Sequence, residues 1–151
     1  MRRHRGRARA RRTRDEHIDA ARWLPRVELP KEPGYVRFGA PAEDGRVPRD
    51  GIFVLARRAL DELGLDAVER DAITDALDWF ARHMPVCRPR DRRAVLFLRD
   101  TERELARRLW DLAHLLRSMG VHVEMVGVRR LEGVVAGDRV QVAAIRDARA
   151  R

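Results

Sequence analysis

Hydrophobic residues recur at three- and four-residue spacing in three segments of the chain, which is the pattern of an amphipathic helix. The spacing predicts helices over residues 51–63, 66–84 and 101–119. The first two are separated by only a few residues, and so short a connection favours an antiparallel helical hairpin.

Capping signals flank these helices. Asp50 is the expected N-cap of the first, and Gly64 its expected C′ residue with a positive φ. The segments Asp66–Glu69 and Thr101–Glu104 have the form of capping boxes. Gly120 is the expected end of the third helix.

Other segments follow strand patterns. Residues 94–98 form a continuous apolar run, as in a strand that is covered on both faces, and residues 121–128 follow as the next strand. With the helix between them they predict a β-α-β unit, whose strands are expected to be parallel with a right-handed connection. Short strands are also expected at 35–38, 134–136 and 140–145, the last two as a hairpin around Gly137-Asp138.

The predicted fold class is therefore α/β (α+β). A helical hairpin precedes a β-α-β unit and a C-terminal β-hairpin, with three to five strands in one small sheet. At 151 residues the chain has the length of one domain plus a tail. The expected divisions are a disordered arginine-rich arm, a short helix with a Pro/Gly-rich connector, a single α/β domain and a polar tail, at residues 1–14, 15–49, 50–146 and 147–151.

Charge is concentrated in the arginine-rich arm, residues 1–14 (MRRHRGRARARRTR). The whole chain has 33 basic and 24 acidic residues, a net charge of +9. The arm holds eight arginines and no acid, so the remainder has 25 basic residues against the same 24 acids. A polyanionic partner is thus predicted chiefly from the arm. Lys31 is the only lysine, and such a preference for arginine over lysine is also produced by a GC-rich genome without any phosphate partner. The alternative to a functional arm is that translation of the protein starts downstream of these residues.

Nucleic acid or another polyanion is the predicted partner, since arginine can bind phosphate oxygens through paired N–H groups. A second basic cluster follows the second helix. The chain has few aromatic residues and none among these arginines, so neither base stacking nor sequence recognition is expected. The candidate polyanion-binding residues are Arg2, Arg3, Arg5, Arg7, Arg9, Arg11, Arg12, Arg14, Arg88, Arg90, Arg92 and Arg93.

An alternative is a small enzyme or ligand-binding protein with an anion at the strand end Asp100-Thr101, where a helix begins. His122 and Glu124, two residues apart on the next strand, would assist it. The interpretation without a ligand is that Thr101 caps the helix and that His122 and Glu124 are polar residues of a strand.

Catalytic and metal sites are not indicated by any motif. The chain has no glycine-rich phosphate loop, no G-x-S-x-G and a single cysteine, so no catalytic residue, cofactor or metal ligand is predicted. Cys87 has arginine neighbours that could lower its thiol pKa, but a partly buried linker cysteine is the simpler expectation. One cysteine and no apolar run of membrane-spanning length favour a cytoplasmic protein without membrane contact.

A protein partner is the remaining alternative. A capping box at Thr13–Glu16 predicts a short helix over residues 14–24, which Pro25 ends. Its apolar residues Ile18, Trp23 and Leu24 need a surface to cover them, either on this domain or on another chain.

The helix end from Asp78-Trp79-Phe80 to His83-Met84-Pro85, followed by the β-α-β pattern, resembles small bacterial proteins without an assigned activity, over roughly residues 50–145. The resemblance implies a bacterial intracellular domain and brings no ligand or catalytic residue. The sequence as a whole predicts a non-catalytic binding or accessory module whose arm contacts nucleic acid or another polyanion nonspecifically.

Overall fold

The computed structural model describes residues 34–41, 47 and 49–145. Within them the chain forms three helices and five strands. The elements in chain order are β1 (Tyr35–Gly39), α1 (Ile52–Glu62), α2 (Ala67–His83), β2 (Ala94–Arg99), α3 (Arg103–Ser118), β3 (Glu124–Val128), β4 (Val134–Gly137) and β5 (Gln141–Ile145). The predicted arm, the helix over 14–24 and the C-terminal tail lie outside the described residues.

The five strands form one antiparallel sheet in the order β3-β1-β2-β5-β4. The expectation of a β-α-β unit with neighbouring parallel strands is therefore corrected. β2 and β3 run in the same direction, but β1 lies between them and pairs antiparallel with both. The C-terminal hairpin of β4 and β5 is confirmed, with a β-bulge between Val134 and Ala136.

The helices supply the main hydrophobic core. α3 buries the leucines of its 3/4-spaced stripe, Leu105, Leu109, Leu112 and Leu116, and α1 adds Ile52 and Leu55. These side chains form one cluster with Val36 and Phe38 of β1 and Leu98 of β2. Alternate residues of β2, Val95 and Phe97, belong to a second cluster with Val128 of β3 and Ala144 of β5. Both faces of β2 are thus apolar, as its continuous hydrophobic run predicts.

Helix caps follow the sequence only in part. The capping box of α2 is confirmed: the Glu69 amide donates to the Asp66 carboxylate at 2.8 Å and the Asp66 amide donates to the Glu69 carboxylate at 3.0 Å. The predicted box at Thr101 is wrong, because the N-cap of α3 is Glu102 and no side chain caps the helix.

The prediction for α1 is also wrong at both ends. Its N-cap is Gly51, since the Asp50 carboxylate instead pairs with Arg58 at 3.0 Å. Gly64 does not adopt a positive φ, because the chain leaves the helix through Leu63 in an extended conformation. After α3, by contrast, Gly120 has a φ of 85°, as a helix-terminating glycine should.

Candidate anion-binding cleft

A cleft opens where β1 and β2 separate. β1 pairs with β3 along its whole length, from Tyr35 opposite Val128 to Gly39 opposite Glu124. Its pairing with β2 ends after two residues, Tyr35 and Val36. Consecutive β2 residues from Ala94 to Leu98 line the resulting cavity of about 400 Å³, because the edge of the strand faces it. We call this cavity the β1–β2 cleft.

Arg37 fastens the separated strands. Its guanidinium donates to the Leu96 carbonyl of β2 at 2.8 Å and to the Arg49 carbonyl at 2.7 Å. The residue is only 8% exposed, yet it lines the cleft. The charge of Arg37 is therefore fixed at the base of the cleft while its donors hold two backbone segments together.

The segment before α1 forms one wall of the cleft. Gly39 and Gly51 form an isolated antiparallel bridge, and the Ala40 amide donates to the Asp50 carbonyl at 2.9 Å. A Cβ atom on Gly39 would lie 2.4 Å from that carbonyl oxygen, so the approach requires glycine. The first turn of α1 contains no acid, and Gly51 has no side chain with which to cap it.

Residues 85–93, which we call the arginine loop, also contribute to the lining of the cleft. Gln141 at the start of β5 is 4% exposed, and its side-chain amide donates to the Pro85 carbonyl at 2.5 Å. Within the loop, Asp91 accepts from the backbone amide and from the guanidinium of Arg93. These hydrogen bonds lower the pKa of Asp91 below its usual value. The anchored loop brings Pro89 and Arg92 to the cleft.

The charges around the cleft are unbalanced. Arg49, Arg57 and Arg92 line it from the segment before α1, from α1 and from the arginine loop. Among the residues that the structure describes, these three side chains form no ion pair, and the cleft lining includes no carboxylate. Like charges held close together repel one another, so this arrangement favours an anion.

The predicted polyanion residues lie either in the arm or in the arginine loop. Those of the arm lie outside the described residues. Arg88, Arg90, Arg92 and Arg93 are exposed, as a solvent-facing basic loop requires, but only Arg92 lines the cleft and Arg93 is paired with Asp91. Sequence reasoning missed Arg37, Arg49 and Arg57, because nothing in the sequence shows that they meet Arg92.

The alternative ligand residues do not come together. Asp100 is buried, and its carboxylate accepts from the Gly34 amide at 2.7 Å, which holds the start of β1. Glu124 pairs with Gly39 at the other end of β1, roughly 15 Å away at about 3.3 Å per residue. Thr101 is exposed, and His122 forms an exposed pair with Glu124 at 3.4 Å. Their arrangement provides no common pocket.

The environment of Cys87 is not one in which neighbouring arginines lower the thiol pKa. Burial, and secondarily the negative charge of Asp138, raise the pKa of the Cys87 thiol above its usual value. The arginines of the loop therefore do not activate it. Within the described part of the chain, no group of three or more His, Cys, Asp or Glu residues is placed to hold a metal ion.

Comparison with protein families, curated proteins and solved structures found no match to this chain. None of the helices that the structure describes is both long and apolar enough to cross a membrane.

Proposed function

We propose that this protein is a non-catalytic binding module for nucleic acid, which it contacts through phosphate groups without reading the base sequence. The observation that carries the proposal is that Arg49, Arg57 and Arg92 line one cleft and form no ion pair within the described part of the chain. The arm extends the same chemistry by eight further arginines.

Guanidinium groups support this choice of partner. Arginine presents several N–H donors in a plane and contacts phosphate oxygens in a bidentate manner, at any pH a cell provides. Arg88 and Arg90 lie on the same loop as Arg92 and are exposed, so the loop offers a row of cations beside the cleft. A phosphate chain that follows this row reaches the cleft at Arg92.

The test is the salt dependence of binding. Full-length protein is titrated with a fluorescent oligonucleotide duplex at several salt concentrations, and compared with the variant Arg49→Ala/Arg57→Ala/Arg92→Ala. Each lost phosphate contact lowers the log–log salt slope by about 0.9. We expect the triple variant to bind at least tenfold more weakly and to have a slope smaller by about 2 to 3.

The matched control is Arg103→Ala/Arg107→Ala/Arg130→Ala, which removes the same charge from exposed residues outside the cleft. It should retain most of the affinity. A separate full-length variant with glutamine at the eight arm arginines measures the contribution of the arm. Equal losses in the two triple variants would show that only net charge matters and would contradict a domain site.

A further inference from the structure

The β1–β2 cleft has a rim and a floor of opposite character. Its rim carries three arginines that form no ion pair with any described residue, whereas its floor is formed by apolar side chains that are partly exposed, such as Phe53, Met84 and Leu96. A cavity of about 400 Å³ falls within the range of about 300–1,000 Å³ typical of small-molecule sites. A bare anion would use the rim and leave this floor uncovered, so the cleft suits an anionic group attached to an apolar body.

The number of cations favours a particular anionic group. A phosphate monoester carries a charge of about −1.5 to −2 at pH 7 and three acceptor oxygens, whereas a carboxylate or a phosphodiester carries about −1. Arg49, Arg57 and Arg92 have no carboxylate partner in the ranges that the structure describes, and Arg37 adds its charge at the base. Several guanidinium groups around one site match a dianion better than a monoanion.

The apolar part of the lining includes an aromatic ring. Phe53 is partly exposed and lies edge-on against Phe80, with ring centroids 5.1 Å apart. Its position at the cleft provides a surface on which a flat base can pack. We propose that the β1–β2 cleft binds a nucleoside monophosphate group, with the phosphate monoester at the arginine rim and the base over the apolar floor.

This proposal rests on the proposed function, because the same three arginines serve both. It adds that the cleft takes a terminal phosphate rather than an internal phosphodiester. The group has two sources, a free mononucleotide or the 5′-phosphorylated end of a strand.

Isothermal titration of the full-length protein with AMP, adenosine and inorganic phosphate tests the chemistry. AMP is expected to bind at one site, and adenosine and inorganic phosphate at least tenfold more weakly. Adenosine binding as tightly as AMP would overturn the role of the arginine rim. Phosphate binding as tightly as AMP would overturn the role of the floor, and no binding of AMP would overturn the whole inference.

A substitution at Gly51 locates the site. A Cβ atom there would lie 3.4 Å or more from the Arg37 guanidinium, which is ordinary contact, and the backbone φ of −78° accepts any residue. Gly51→Asp and Gly51→Asn both supply an N-cap side chain to α1, and only the aspartate adds a negative charge to the cleft. We expect AMP to bind Gly51→Asp at least tenfold more weakly than Gly51→Asn. Equal affinities would contradict binding in this cleft.

Single-stranded decamers with a 5′-phosphate or a 5′-hydroxyl distinguish the sources. Tighter binding of the 5′-phosphorylated strand indicates a strand end, and binding of AMP without that preference indicates a free mononucleotide; either supports the cleft inference. If both decamers bind equally and AMP does not bind, the nucleic-acid function stands and the cleft inference fails. If AMP binds and neither decamer does, the cleft inference stands and the nucleic-acid function fails.

Discussion

At the scale of one residue, Arg37 has two roles: it holds two backbone segments together, and it places a positive charge at the cleft. Its guanidinium replaces backbone pairing where β1 leaves β2, by donating to Leu96 and Arg49 carbonyls. The sequence gives no hint of this role, because a strand position with one arginine between Val36 and Phe38 is typical of an exposed face. Only the register of β1 against β3 and β2 places it inside the protein.

Replacement of Arg37 by methionine keeps the aliphatic stem and removes both donors. Each part-buried carbonyl that loses its partner costs about 1–3 kcal/mol, so we expect the free energy of unfolding to fall by about 3 kcal/mol. Urea denaturation measures the change. Arg57→Met, at an exposed position, is the control and should change stability by about 0.5 kcal/mol or less. Equal effects of the two substitutions would contradict the structural role of Arg37.

Cys87 makes a second residue-scale prediction. Because burial and Asp138 raise its thiol pKa, the folded protein binds the thiol proton more tightly than the unfolded chain does. This tighter proton binding contributes fully to the free energy of unfolding at pH values below the pKa that the thiol has in the unfolded chain. The contribution is lost as pH rises through the pKa of the thiol in the folded protein. The rate of alkylation by iodoacetamide should therefore rise at a higher pH in the native protein than in urea. A midpoint pH of alkylation in the native protein that is equal to or below the midpoint in urea would contradict the raised pKa of Cys87.

At the scale of elements, the hydrophobic pattern predicted the three helices and five strands of the described residues, but not which strands lie next to one another in the sheet. The α2 cap was predictable because Asp66 and Glu69 satisfy each other's backbone amides locally. The α1 cap was not, because the Asp50 carboxylate pairs with Arg58, which lies further along α1. The strand order depends on the insertion of β1 between β2 and β3, where Val36 and Phe38 pack against residues distant in sequence in the main core.

The bridge between β1 and the start of α1 gives an element-scale prediction. In Gly39→Ala the new methyl group would meet the Asp50 carbonyl at 2.4 Å, so the segment before α1 must move. Overpacking of this kind typically costs about 1–3 kcal/mol. Gly127→Ala on β3 meets no atom within 4 Å and serves as the control. Thermal denaturation should show a clearly lower Tm for Gly39→Ala alone, and equal melting temperatures would contradict the close approach.

The whole molecule has a nearly balanced charge outside the arm, with 25 basic and 24 acidic residues. Sequence composition therefore pointed to the arm and to the arginine loop, and it offered no reason to select Arg49 or Arg57. The fold creates the cationic site by bringing together arginines more than thirty positions apart in the chain, Arg49 and Arg57 with Arg92. Net charge was a poor guide here because the position of charges, not their sum, sets the local potential.

The central claim is that the β1–β2 cleft of the domain binds phosphate groups. Backbone amide shifts of the ¹⁵N-labelled full-length protein, followed by NMR during titration with a short 5′-phosphorylated oligonucleotide, test it most directly. We predict saturable shifts at Gly51, Ile52 and Leu96, around the cleft, and little change at Arg103 and Arg107 of α3. Shifts confined to the arm, or spread equally over all exposed arginines with none at Gly51 and Leu96, would contradict the claim.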